Sequence, residues 1–412
     1  MIHTLELSRE ISKDTFEQII SIYNMRWDKS SFTTTMFENQ GIPMVRLRKE
    51  KGNYSDGHGR RYSKTHYMIY LSINPGQMND NDPHLSTPTL IYAPSFIEAI
   101  YRKIIDTIPC LDECPEVRMA LDKERALLQG RDIHYEKMIR LADTWFEKNA
   151  FKAHRIDYCF DLKYFPHEYL ALLNQGYGLR QRNCMRMNVY NKAKELQDRN
   201  LPHNPNENYD FLRIEVQANK EKLYNTLFKW EEEQLTGYSE SQTRELQFLI
   251  TPEIEEYILK VYIEEIAGTG IYVSYGLAME VIEDSSYSEQ VKEKMKAIVK
   301  AVNERHGIAK VLELARKNQL PELGKESTVK TYLGYIHGLG INPVTISERA
   351  DIPTVTFENH TTHAASYKGK ALYSLLDIVD GYISELKEQH QGDFHLTEAD
   401  FEAIDKLGPQ GE

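Results

Sequence analysis

Apolar and polar residues alternate sharply in several stretches of this chain, and each stretch predicts a strand. They are "IHTLELS" near the start, "MVRLRKE", "THYMIYLSI", "HRIDYCFDL", "CMRMNVYNK" and "DFLRIEVQA". Between and after them the spacing changes to the helical one. Ser12 opens a helix in which Phe16, Ile19, Ile20 and Tyr23 fall on one face, and "PSFIEAIYRKIIDTI" aligns Ile97, Ile100, Ile104 and Ile108. Residues 116–150 read as mostly helical, and "PHEYLALLNQGYG" as a short helix ending at glycine. "KGNYSDGHGRR" reads as a loop or hairpin tip, and Asn74-Pro75-Gly76 stops the strand before it. The expected fold class is α+β: a mainly antiparallel sheet with helices on one face, followed by a mostly helical C-terminal region. The expected domains are 1–235 and 236–412. Within the second, "STVKTYLGYIHGLGINPVTISERA" predicts two helices joined by "GLGIN", a candidate helix-turn-helix over 327–350, and the chain closes on an acidic tail.

Composition narrows the class. At 412 residues, 41% hydrophobic and 27% charged, the chain is an ordinary globular one with two or three domains expected. No long apolar run predicts a membrane span, and no basic start followed by an apolar stretch predicts a signal peptide, so the cytoplasm is expected. Cys110, Cys114, Cys159 and Cys184 fit no zinc spacing and read as reduced thiols. The net charge is −12, but it is unevenly placed. Residues 44–66 hold seven Lys/Arg against two acids, and residues 150–200 hold nine against five. An acidic protein with local basic stretches can still present a groove to nucleic acid.

The three central strands each have one apolar and one polar face. The polar faces carry Arg155, Asp157, Cys159 and Asp161; then Arg186, Asn188, Tyr190 and Lys192; then Arg213, Glu215 and Gln217. A half-solvated sheet would look the same. If the strands are neighbours, however, Asp157 and Glu215 converge near Tyr190. Two carboxylates at one place repel unless a cation separates them, and hard oxygen ligands suit Mg²⁺ or Mn²⁺. A tyrosine is a poor nucleophile unless nearby cations, here Lys192 or Arg186, favour its phenolate. The chemistry that follows is metal-assisted attack by tyrosine on a phosphodiester.

"HRIDYCFDL", "MNVYNKAKEL" and "FLRIEVQANKEKLY", in that order, resemble the motifs of the filamentous-phage gene II (CRI) type replication initiators and related plasmid rolling-circle initiators. The match covers roughly residues 60–235. The resemblance implies a nickase that cuts one DNA strand at a replication origin, stays joined to the 5′ phosphate through tyrosine, and later reseals. Tyr190 matches the nucleophile, and Asp157 and Glu215 the acidic strand positions, with His66 as a further metal candidate. Arg155, Lys192 and Arg213 match basic positions, and Arg186, Arg60 and Arg61 join them as expected DNA contacts. The expected partners are single-stranded or hairpin DNA at the origin, with a host helicase and polymerase. The His-hydrophobic-His strand of larger nickase groups is missing here. The alternatives are a non-cleaving origin or operator binder, a metal-dependent nuclease that hydrolyses with water, and a scaffold whose polar sheet face binds another protein.

Overall fold

Alternation of apolar residues along each strand builds one broad sheet, described here from a computed structural model. The structure describes residues 2–28, 30–55, 61–79, 94–127, 135–163, 180–181, 185–191, 211–221, 223, 246, 249–250, 252–304, 307–349, 352, 354–359, 361–363 and 366–389. The chain divides into two compact units, Met1–Tyr262 and Ile263–Glu412.

In the first unit the order is β1 (Ile2–Ile11), α1 (Lys13–Ile22), β2 (Arg26–Asp28), β3 (Ser31–Thr34), β4 (Met44–Ser55), β5 (Arg61–Ile73), α2 (Pro75–Asn79), α3 (Pro94–Thr107), α4 (Pro115–Leu127), α5 (Tyr135–Lys148), β6 (Lys152–Lys163), β7 (Arg180–Gln181), β8 (Met185–Asn191) and β9 (Phe211–Asn219). The nine strands form one sheet in the order β2-β3-β4-β5-β1-β6-β9-β8-β7. Every neighbouring pair is antiparallel. The fold is therefore α+β, as the pattern predicts. One face of the sheet is apolar and buried: Leu5, Leu7, Ile69, Leu71, Ile156, Tyr158, Phe160, Ile214 and Val216. Helix α1 is capped by Ser12, whose side chain accepts from Thr15 N, and lays Phe16 against Tyr67 of β5 with ring centroids 5.1 Å apart. Helix α3 brings Tyr101 to Phe151 at 5.5 Å. Tyr158 is fully buried on the apolar side and donates to the Leu249 carbonyl at 2.7 Å. Asn74-Pro75-Gly76 does end β5, but it does so by starting α2, with Asn74 Oδ1 accepting from Gln77 N.

The helix α6 (Pro252–Ala267) leads into the second unit, which holds β10 (Tyr272–Val273), α7 (Tyr275–Glu283), α8 (Glu289–Glu304), α9 (Ile308–Arg316), α10 (Glu326–Gly338), β11 (Thr354–Glu358), β12 (Ser366–Leu372) and α11 (Leu375–Gln389). The unit is mostly helical, as expected, and also carries a three-stranded sheet in the order β10-β12-β11. One expectation is corrected. The helix-turn-helix is not formed: α10 is its first helix, but residues 341–346 bridge to the chain beside β10, Ile341 with Ile271 and Ile346 with Ser274. Gly340 (φ 72°) ends the helical path, and Asn342 precedes a proline, which disfavours a new helix there. The helix expected in "PHEYLALLNQGYG", the loop "LPHNPNENY" and the acidic tail lie outside the described residues.

Among the described residues, no helix is long and apolar enough to cross a membrane. Cys110 and Cys114 are free thiols.

Candidate active site

Strands β6, β9 and β8 lie side by side, so their polar residues meet on one face. Asp157 is opposite Gln217, Cys159 opposite Glu215, and Asp161 opposite Arg213. Across the next ladder Arg186 is opposite Gln217, Asn188 opposite Glu215, and Tyr190 opposite Arg213. Cross-strand partners share a face, and diagonal neighbours come within reach of long side chains. Glu215 is diagonal to both Asp157 and Tyr190. The three predicted residues are thus brought together on adjacent strands.

The contacts are specific. Tyr190 Oη donates to Glu215 Oε1 at 2.6 Å, a short charge-assisted bond. The same oxygen lies 3.1 Å from His3 Nδ1, and Asn188 Nδ2 reaches the other carboxylate oxygen at 3.5 Å. His3 Nδ1 also lies 3.1 Å from Thr4 Oγ1. On the neighbouring strand the Arg155 guanidinium grips Asp157 at both oxygens, 2.8 and 3.0 Å, and reaches across to Glu6 Oε1 at 2.7 Å. Tyr190 is half-buried, while Asp157 is only 2% exposed and Glu215 is buried.

Burial pushes the Asp157 carboxyl up to about 7, with Glu215 and Glu6 adding to the rise against the pull of Arg155. Burial works against the Arg155 charge, yet Asp157 and Glu6 hold the guanidinium above its ordinary value. The site therefore holds one carboxyl poised between its two forms beside one that accepts from a phenol.

Two histidines enter this region that the alternation does not announce, and both are bulge residues. Ile2 pairs with Tyr158 and Thr4 with Asp157, so His3 is the extra residue on β1. Glu6 pairs with Arg155 and Leu7 with Ala153, so His154 is the extra residue on β6. A bulge breaks the period of two and re-aims a side chain. It carries His3 to Glu215. It also sets His154 in the wall of an open cavity of about 530 Å³, with Glu6, Arg155, Asn219, Lys220 and Glu221. Burial holds the His154 imidazole below its ordinary value.

The other predicted residues fall elsewhere. His66 is on β5, seven residues along the strand from Ile73, which is level with Leu5 and Ile156. At about 3.3 Å per residue that is about 23 Å from the Asp157 end. His66 bonds Tyr54 Oη at 2.6 Å and Glu10 Oε1 at 2.8 Å, so it does not join the two carboxylates. Arg213 is 0% exposed, so it does not present its guanidinium to DNA; it lies opposite Tyr190 within the sheet. Arg186 is placed on β8 by its backbone alone. Arg61 is exposed at the start of β5. Lys192 and Arg60 lie outside the described residues.

The fit to Mg²⁺ or Mn²⁺ can be judged from the donors. Both Asp157 oxygens are taken by Arg155, and Glu215 Oε1 is held by Tyr190 beside His3. Among the described residues, no three His, Cys, Asp or Glu side chains are grouped to hold a metal. As arranged, these side chains are bonded to one another and do not fit a divalent cation. No family model, curated protein or solved structure matches the chain.

Proposed function

We propose that this protein is a site- and strand-specific DNA nickase of the rolling-circle type, with Tyr190 as its nucleophile. The observation that carries the reading is the 2.6 Å bond from Tyr190 Oη to Glu215, which gives a half-buried phenol a carboxylate ready to take its proton. In the proposed step the Oη proton passes to Glu215. The Oη–P bond forms, the P–O3′ bond breaks, and the departing 3′ oxygen takes a proton from solvent. The protein is left joined to the 5′ phosphate, and reversal of the same step reseals a strand. The buried Arg213 charge opposite Tyr190 favours the negative charge that develops on Oη. Arg155 and Lys220 line the neighbouring cavity and offer a path for the strand's phosphates.

The test is a denaturing-gel assay with end-labelled single-stranded and hairpin origin oligonucleotides, run with Mg²⁺, with Mn²⁺ and with EDTA. The parent should form a covalent adduct and Tyr190→Phe should not. An adduct in Tyr190→Phe would overturn the assignment. Cleavage that persists in Tyr190→Phe with no trapped protein would assign the nucleophile to water.

A further inference from the structure

Strands β4 and β5 run well past their neighbours. On the outer side β3 pairs only with Val45–Leu47, and on the inner side β1 pairs with β5 only as far as Tyr67. Among the described residues, Glu50–Ser55 and Arg61–His66 beyond that level pair only with each other, as a two-stranded ribbon.

The two faces of the ribbon differ. One face carries Lys51 opposite Thr65, Asn53 opposite Ser63, and Ser55 opposite Arg61. All six are exposed. Each bears a hydrogen-bond donor, two are cations and none is acidic. The other face carries Tyr54 and Tyr62, stacked with ring centroids 5.6 Å apart, and Lys64 opposite Gly52, whose ammonium lies 3.8 Å from Glu10 Oε1 on β1. Tyr54 leans back over Gly52, where a Cβ would meet its ring at 2.6 Å. There its hydroxyl bonds His66 Nε2 at 2.6 Å, and His66 Nδ1 donates to Glu10 Oε1 on β1 at 2.8 Å. This chain of contacts braces the ribbon against the end of β1.

We infer that the ribbon is a duplex-DNA arm that lays its Lys51–Asn53–Arg61–Ser63–Thr65 face into a groove. The dimensions suit: a major groove about 12 Å wide admits a two-stranded ribbon. The charge suits as well: these cations project from a chain whose net charge is −12. The chemistry favours duplex over single strand. Single strands are held by stacking rings interleaved with cations; here the cation beside the rings, Lys64, is paired with Glu10, whereas Lys51 and Arg61 lie on the opposite face with no acid beside them among the described residues. Lys, Arg, Asn, Ser and Thr side chains are what contacts to phosphates and base edges require. Ser63 lies ten residues along β5 from Ile73, the residue level with Ile156. That is about 33 Å, or roughly one turn of B-DNA, from the Asp157 end of the sheet. The arm therefore grips duplex away from the carboxylates, and the inference goes beyond the nicking proposal without resting on it.

The test is duplex binding by the full chain, measured by anisotropy with a labelled blunt duplex across a salt series. Lys51→Ala/Arg61→Ala should weaken binding by about 10-fold or more and lower the log–log salt slope by about 1.8, as expected for two lost phosphate contacts. Asn53→Ala should weaken binding with little change in slope. The inference is overturned if the parent binds no duplex, if the double variant keeps the parent's affinity and slope, or if the substitutions abolish self-association in sedimentation while duplex binding is unchanged. If no variant, parent included, forms an adduct while duplex binding still follows the arm, the nicking proposal falls and the arm stands.

Discussion

The phenol of Tyr190 and the carboxylate of Glu215 sit on adjacent strands, diagonal to one another, and share a 2.6 Å hydrogen bond. That bond assigns Glu215 a role different from metal ligation. Glu215→Gln keeps the shape and loses the proton acceptor. Adduct formation should fall by about 10²–10⁴-fold in single-turnover assays, the usual range for a positioned general base. Melting should stay near the parent's value. A variant as fast as the parent would mean that the proton goes elsewhere.

His3 acts through Glu215, so it is a positioning residue. His3→Gln retains a donor and should keep much of the single-turnover rate, while His3→Ala should lose about 10-fold or more, in line with a lost charge-assisted bond of about 1.5–3 kcal/mol. A split between kcat and KM separates this role from simple packing. His3→Ala should lower the single-turnover rate with oligonucleotide affinity near the parent's. Equal rates in His3→Ala and the parent would remove His3 from the mechanism.

Asp157 links stability to pH. Its folded value is raised to about 7 from an ordinary 3.8, so between those values the folded protein holds a proton that the unfolded chain has released. The Asp157 contribution is therefore greatest below pH 4 and is lost as pH rises through about 7. Asp157→Asn removes it. The difference in melting temperature between parent and variant, followed from pH 4.5 to 8, should move in favour of the variant as pH rises. A difference that stays flat across that range would show that Arg155 keeps Asp157 ionised throughout.

Arg9 is a buried cation on the apolar side of β1. It donates to Asn149 Oδ1 at 3.3 Å and to the Leu111 carbonyl, and its guanidinium lies 4.6 Å from the centre of the Phe151 ring. Arg9→Ala leaves those acceptors buried without it and should destabilise the first unit by about 3–5 kcal/mol in urea denaturation. A loss under about 1 kcal/mol would mean that water replaces the guanidinium.

Much of the first unit was legible because alternation sorts apolar from polar positions. In "HRIDYCFDL" Ile156, Tyr158 and Phe160 fill the apolar side as expected, but Asp157 and Cys159 on the other face are buried as well, which alternation does not announce. The same rule aligned Asp157, Tyr190 and Glu215. It failed wherever the ladder slips: His3 and His154 are extra residues in bulges, and no period of two marks a bulge in one sequence. It also left His66 unplaced, because register along β5 depends on which strands it pairs with, and these come from distant parts of the chain. In the second unit "INPVTISERA" reads as the second helix of a pair, yet Ile341 and Ile346 form isolated bridges. There long-range pairing overrides local propensity.

The width of the sheet has one more consequence. Among the described residues, nine strands joined edge to edge end in β2, of three residues, and β7, of two. Strands this short offer another polypeptide almost no backbone to zip onto. A broad sheet with such edges gives little purchase to the strand-to-strand addition that leads to fibres.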